Sequence, residues 1–275
     1  MQIDYHTHHE RCGHAIGKLE DYVRRGIELG LDHLGLSDHL PLIHVDPASY
    51  YPEMAMPLEE LPRYVEECLE LKERYRGVIE IRVGLEADYI EGYEARIREL
   101  LAPYPWDYLI GSVHFLGEWD ITDFRQVHGW EGQDPLEVYR RYYRAVRQAA
   151  SSGLYDIIGH MDVIKRFGYG PDTAEGQAEV RELERSALEA IAAAGIAMEL
   201  NASGLTKPCA EMFPAPHVLA QALELGIPLT LGSDAHDPAK LGEGLGEARR
   251  LLRDTGFREL AVFEGRRRMS VPLTE

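Results

Sequence analysis

The stretch QIDYHTH at residues 2–8 is a short apolar run closing on two histidines, and it reads as a β-strand. Side chains alternate between faces along an extended chain, so His6 and His8 point the same way. Six later stretches have the same form: DHLGLSDH (32–39), VIEIRVGLEAD (78–88), WDYLIGSVHFL (106–116), YDIIGH (155–160), GIAMELNAS (195–203) and IPLTLGSDAH (227–236). The segments between them carry apolar residues at helical spacing: 18–30, 58–75, 93–103, 134–151, 174–195, 215–226 and about 240–254. Gly30, Gly195 and Gly226 stand where helix C-caps belong. Seven strand–helix units predict an α/β fold built as a parallel barrel.

With 275 residues the chain is long enough to bury a large core without a disulfide or structural metal. No Gly/Ser-rich linker, low-complexity tract or fixed-period repeat divides it, so residues 1–275 read as one domain. Asp plus Glu number 47 against 29 Lys plus Arg, a net charge of −18. That balance argues against nucleic acid or an anionic membrane as partner, because both need a cationic face. Three cysteines, Cys12, Cys68 and Cys209, fit neither a disulfide framework nor a zinc finger, and the N-terminus has no signal-peptide pattern. A reduced, cytoplasmic setting is expected. The longest non-periodic segments, 40–56 and 117–133, each follow a strand and so are expected to enclose substrate on the barrel's C-terminal face.

Almost every expected strand ends in a potential metal ligand: His6 and His8, Asp38 and His39, Glu86, His114, His160, then Asp234 and His236. A parallel barrel gathers all strand C-termini at one rim, so these distant residues converge. One His-x-His is a common polar strand end, and a Ser-Asp-His is an ordinary turn. At successive strand ends, however, imidazoles and carboxylates form a ligand set suited to zinc, manganese or iron.

These motifs resemble the polymerase and histidinol phosphatase (PHP) family: HTH at 6–8, His14 in the next loop, SDH at 37–39, GLE at 84–86, SVH at 112–114, GH at 159–160 and SDAH at 233–236. The resemblance runs the length of the chain. It implies a distorted (β/α)7 barrel holding three divalent metal ions: one on His6, His8, Glu86 and Asp234, a second on His14, His39 and His236, and a third on Glu86, His114 and His160. Only the resemblance singles out His14; on its own it is a loop histidine. Within the family, ELNASGLTKP at 199–208, SDHLPL at 37–42 and GSVHFL at 111–116 are similar to the stand-alone histidinol-phosphate phosphatases of histidine biosynthesis. The implied reaction turns L-histidinol phosphate into L-histidinol and inorganic phosphate.

Phosphate monoesters hydrolyse extremely slowly unaided, so a nucleophile is needed at neutral pH and charge on the phosphoryl oxygens must be neutralised. The expected mechanism is in-line attack by a metal-bound hydroxide at the centre formed by His6, His8, Glu86, Asp234 and His236, with no covalent enzyme intermediate. Arg166 and Lys207 are the expected phosphate contacts, Asn201 and Ser203 expected hydrogen-bond donors, and Glu118 an expected partner for the substrate amine. Trp119, Asp120 and Asp123 lie in the same segment as Glu118. Lys165 reads as a solvated charge, and His33 and His217 as structural. His9, His44 and His128 lie on rim loops where they could support ligands. Three rival functions are hydrolysis of another small phosphate ester, an amidohydrolase, and a barrel kept only for binding. The amidohydrolase would want a lysine on the fourth strand, where His114 stands, and a binding module should show gaps in the ligand set, which is complete.

Overall fold

The computed structural model describes residues 1–45 and 54–274. Its elements run β1 (Ile3–Asp4), α1 (Leu19–Glu28), β2 (His33–Leu36), α2 (Leu61–Arg74), β3 (Glu80–Val83), β4 (Glu86–Asp88), α3 (Glu94–Leu101), β5 (Ile110–Ser112), β6 (Phe115–Leu116) and β7 (Trp119–Asp120). They continue with α4 (Pro135–Ser151), β8 (Ile157–Ile158), α5 (Ala174–Ala194), β9 (Ala197–Asn201), α6 (Pro216–Glu224), β10 (Leu229–Gly232), α7 (Leu245–Thr255), β11 (Glu259–Glu264) and β12 (Arg267–Pro272).

Seven staves form the expected barrel: β1, β2, β3 running on into β4, β5, β8, β9 and β10. Every ladder between them is parallel. The ring closes between β10 and β1, where Tyr5 N–H donates to the Leu231 carbonyl, Asp234 N–H to that of His6 and His8 N–H to that of Ala235, each at 2.9 Å. The helices cover the outside, so stave residues are buried on both faces; Ala197–Asn201 are buried throughout. All seven expected strands exist, but the ladders are shorter than the apolar runs, since residues such as His6–His8 leave regular pairing to form the rim.

Local sequence accounts for the helices. Tyr139, Tyr142, Tyr143 and Val146 recur at helical spacing on the buried face of α4. Thr173 caps α5 by accepting the Gly176 N–H at 3.1 Å. Gly30, Gly195 and Gly226 all adopt the left-handed conformation expected after a helix. The antiparallel hairpin β11–β12 was not expected from the strand–helix alternation. It sends Phe263 edge-on against Tyr5 and tilted against Tyr108, and donates the Phe263 N–H to the Tyr5 hydroxyl.

The Tyr108 hydroxyl donates to the Tyr5 carbonyl at 2.6 Å, and its ring fills the space beside Gly84. A Cβ on Gly84 would lie 2.3 Å from that ring, in a fully buried site. Replacing Gly84 by alanine should therefore destabilise the protein by about 1–3 kcal/mol through overpacking. Thermal unfolding would show it as a lowered Tm; an unchanged Tm would mean that Tyr108 repacks freely.

Candidate metal centre

The rim is built by residues just past the strand ends. Asp234, two residues beyond β10, has φ +56°, a left-handed conformation that aspartate tolerates better than most residues. Its N–H is tied to the His6 carbonyl, and its Oδ1 lies 3.2 Å from His8 Nε2 and 3.9 Å from His6 Nε2. Glu86 opens β4 at the centre. Its Oε2 lies 3.3 Å from His6 Nε2, 3.5 Å from His8 Nε2 and 3.0 Å from His39 Nδ1. The other oxygen, Oε1, lies 2.9 Å from His160 Nε2 and 3.4 Å from His114 Nε2, and accepts the Ser112 hydroxyl at 2.5 Å. Glu86 thus stands between two donor groups, as a bridging carboxylate would.

The outer donors are His14, His39 and His236. Nε2 of His14 lies 3.0 Å from that of His236, and the His39 ring is 5.2 Å from the His14 ring. His8 reaches into this group as well, stacking between His39 at 4.1 Å and His236 at 4.2 Å. All nine residues named from the sequence therefore meet at one rim. Four triads among them have donor atoms within 4.8 Å of one another: His6–His8–Asp234, His6–Glu86–His160, His39–Glu86–His114 and His8–His39–His236. The last assigns His8 to the outer group, where the family pattern places it only in the inner one.

The donor chemistry fits divalent metal. His6 Nε2, His8 Nε2 and Glu86 Oε2 are buried and converge, yet none has a hydrogen-bond partner. Leaving such groups unpaired is costly, and a cation held among them removes the cost. On His6, His14, His114 and His236 the opposite ring nitrogen is occupied as a metal-bound histidine requires, whereas Nδ1 of His8 and of His160 has no hydrogen-bond partner. Nδ1 of His6 faces Glu199 at 2.7 Å, that of His114 faces Asp88 at 3.0 Å, and that of His8 faces Asp38 at 3.5 Å. His14 and His236 instead use the Cys12 and Asp234 carbonyls. Asp38 is itself held by His9, the one rim-loop histidine that reaches this network; His44 packs on Phe115.

Electrostatics divides the imidazoles. Burial opposes a charge on His6, but Glu199, Glu86 and Asp234 outweigh it and raise the pKa well above the usual value. His8 is raised likewise, against burial, by Asp234 and Asp38, and His114 to about 10 by Asp88 and Glu86. Burial followed by imidazole neighbours lowers His14 to about 4, and also lowers His39 and His236. Without metal, His6 and His114 therefore favour the charged form at neutral pH, with His8 shifted in the same direction, and metal must displace the protons they hold. Apparent affinity should fall by about tenfold per pH unit of acidification for each displaced proton. Chelator competition between about pH 8 and pH 6 measures it; pH-independent affinity would contradict this proton count.

The rim opens into a cavity of about 900 Å³ whose lining includes Arg166, Lys207, Ser203, Asp120 and Asp123. Arg166 is half-buried with Nε unpartnered, and burial lowers its pKa. Lys165 differs: its Nζ is held by Glu211 at 2.6 Å and Asp162 at 2.8 Å. Ser203 lines the cavity and donates its hydroxyl to Asp234 Oδ2 at 3.1 Å. Two expected substrate contacts lie off the cavity lining. Asn201 is fully buried outside the cavity lining, its amide donating to Glu199 at 3.1 Å and Asp234 at 3.4 Å. Glu118 is exposed in the two-residue turn between β6 and β7, and the carboxylates that line the cavity are Asp120 and Asp123. Segment 117–133 thus does wall the cavity. From 40–56, Leu42 and Met54 do so, while residues 46–53 lie outside the described residues. Cys12 and Cys209 bond backbone carbonyls.

Sequence reasoning missed Glu199 and Asp88. Glu199 sits in the middle of an otherwise apolar strand, a buried charge in AMELN, and that was the available signal.

A parallel seven-stave barrel with this rim of imidazoles and carboxylates defines an α/β-barrel protein equipped to hold divalent metal. The PHP domain model matches residues 4–203, and the chain belongs to that family. It is 39% identical over 93% of its length to a probable histidinol-phosphatase of Deinococcus radiodurans, covering 94% of that protein. It is 32% identical over 87% of its length to a histidinol-phosphatase of Bacillus subtilis, covering 95% of that one. Among solved structures, the histidinol phosphate phosphatase of Lactococcus lactis, complexed with zinc, L-histidinol and phosphate, superposes with a TM-score of 0.81 at 26% identity, with 98% of both chains covered.

Proposed function

We propose that this protein is a metal-dependent phosphomonoesterase that hydrolyses L-histidinol phosphate to L-histidinol and inorganic phosphate. The observation that carries the reading is the meeting of nine ligand-type side chains at one rim, beside a cavity walled by Arg166 and Lys207. Near-full-length similarity to histidinol-phosphatases, one of them complexed with zinc, L-histidinol and phosphate, supports the substrate.

His6, His8, His14, His39, Glu86, His114, His160, Asp234 and His236 would hold the ions, three by the family pattern, with zinc, iron or manganese all suited to the donors. Bound divalent ions supply a water of pKa near 7 and neutralise charge on the phosphoryl oxygens. Arg166 and Lys207, which line the same cavity, bind the phosphoryl group, Arg166 through a guanidinium fork that matches phosphate geometry. Ser203 and Asn201 fix Asp234. Asp120 and Asp123 are carboxyl groups on the cavity wall and the candidates for the substrate amine, Asp123 being already paired with Arg125. Water adds to phosphorus as the ester P–O bond breaks, and the alkoxide leaves as L-histidinol once protonated. No described helix is long and apolar enough to cross a membrane. We place the enzyme in the cytoplasm, where its three free thiols stay reduced.

A panel of phosphomonoesters tests the substrate. Histidinol phosphate should exceed nucleoside and sugar phosphates in kcat/KM by about a hundredfold or more, because buried polar groups reject ligands that leave them unpaired. Equal rates across the panel would identify a phosphoesterase of broad range.

A further inference from the structure

Six of the seven barrel staves deliver side chains to the metal centre directly. The seventh, β9, delivers none, yet it carries a carboxyl group into the barrel at Glu199, whose side chain is 1% exposed. Space for it is made by a neighbouring glycine. A Cβ at Gly232, on β10, would sit 1.9 Å from Glu199 Oε1, whereas one at Gly159, after β8, would only touch Oε2 at 3.6 Å.

Three donors converge on the two oxygens. Oε1 lies 2.7 Å from His6 Nδ1, while Oε2 accepts the His160 backbone N–H at 3.0 Å and the Asn201 amide at 3.1 Å. Asn201 also donates to Asp234, and its Oδ1 accepts the Ser203 N–H at 2.9 Å, which fixes the orientation of the amide. One carboxyl group thus touches His6 directly, His160 through its backbone and Asp234 through one intervening side chain. A carboxylate only accepts, so it selects the His6 tautomer with hydrogen on Nδ1 and leaves Nε2 its lone pair. Nε2 is the atom aimed at Glu86 and Asp234. A buried carboxylate is expensive to keep for packing alone, and an apolar residue on this strand would stabilise the fold as well.

We propose that Glu199 is a positioning residue of the metal centre, orienting and polarising His6 while bracing the strand ends that carry His160 and Asp234. The proposal rests on the metal-centre reading above. Glutamine is nearly isosteric but turns one acceptor into a donor. Either the new amide faces His160 N–H and Asn201, or it faces His6 and drives the ring hydrogen to Nε2, where metal must bind.

The test is zinc binding by full-length Glu199→Gln and wild-type protein, measured by chelator competition, together with 15N NMR of the histidines in the zinc-loaded wild type. The proposal expects affinity for the most weakly held zinc to fall by about 10–100-fold in the variant. It also expects His6 in the wild type to carry its hydrogen on Nδ1. Affinity within twofold of wild type, or a His6 ring with Nδ1 bare, would overturn it while leaving the metal centre intact. Should the variant fail to fold, the wild-type tautomer decides alone. A wild type that binds no zinc, manganese or iron would instead remove the metal-centre reading, and this proposal with it.

Discussion

Replacing Glu86 by glutamine is expected to lower kcat/KM for histidinol phosphate by about a thousandfold or more, and to reduce the metal retained after dialysis. Of the two carboxylates among the nine ligand residues, Glu86 has its two oxygens facing different sets of imidazoles: Oε2 faces His6, His8 and His39, and Oε1 faces His114 and His160. Glutamine keeps the shape and removes the charge. It also turns an N–H2 donor toward one set of imidazoles, so that whichever way the amide lies one group loses its acceptor. The loss should appear in kcat more than in KM, since the proposed phosphate contacts, Arg166 and Lys207, are untouched. Metal analysis alongside steady-state kinetics measures both effects. A variant with full metal content and kcat within tenfold of wild type would show that the two donor groups act independently of the shared carboxylate.

Arg166→Ala is expected to cost about 100–1,000-fold in kcat/KM for any phosphate ester. Among the described residues Arg166 lies in no ion pair; its Nε is orphaned and its side chain lines the cavity. Such a partly desolvated cation, with no carboxylate in direct ion-pair contact, gains most when a phosphoryl dianion arrives. Lysine at this position should recover only part of the loss, having a point charge but no fork. The adjacent Lys165 is the internal control. It is already neutralised by Asp162 and Glu211, so Lys165→Ala should change phosphate kinetics little. The reverse ranking of Arg166 and Lys165 would remove Arg166 from the site.

The barrel was legible because its staves are buried on both faces and end in unusual residues. QIDYHTH, GLEAD and GSDAH each join an apolar run to a metal-type side chain, and parallel topology brings those ends together whatever their separation in sequence. His14 was legible only through family resemblance. It is an exposed side chain in a loop, and its approach to His236 depends on the tertiary path of that loop. That Glu118 and Asn201 lie off the cavity lining was not legible, because a sequence shows that a polar residue is near the rim but not which way it is turned. The β6–β7 turn carries Glu118 outward, and the strand register buries Asn201 beneath Asp234. The β11–β12 hairpin was missed because it stands outside the strand–helix alternation, and its partner strand is rich in exposed arginine.

Metal dependence is the central claim, and one measurement addresses it most directly: phosphate release from histidinol phosphate by the same preparation as purified, after chelator treatment, and after divalent metal is restored, with bound metal quantified at each stage. The purified protein should carry metal and release phosphate, the stripped protein should fall to the rate of buffer alone, and zinc, manganese or ferrous iron should restore turnover. Undiminished turnover by protein shown to be free of metal would contradict the claim.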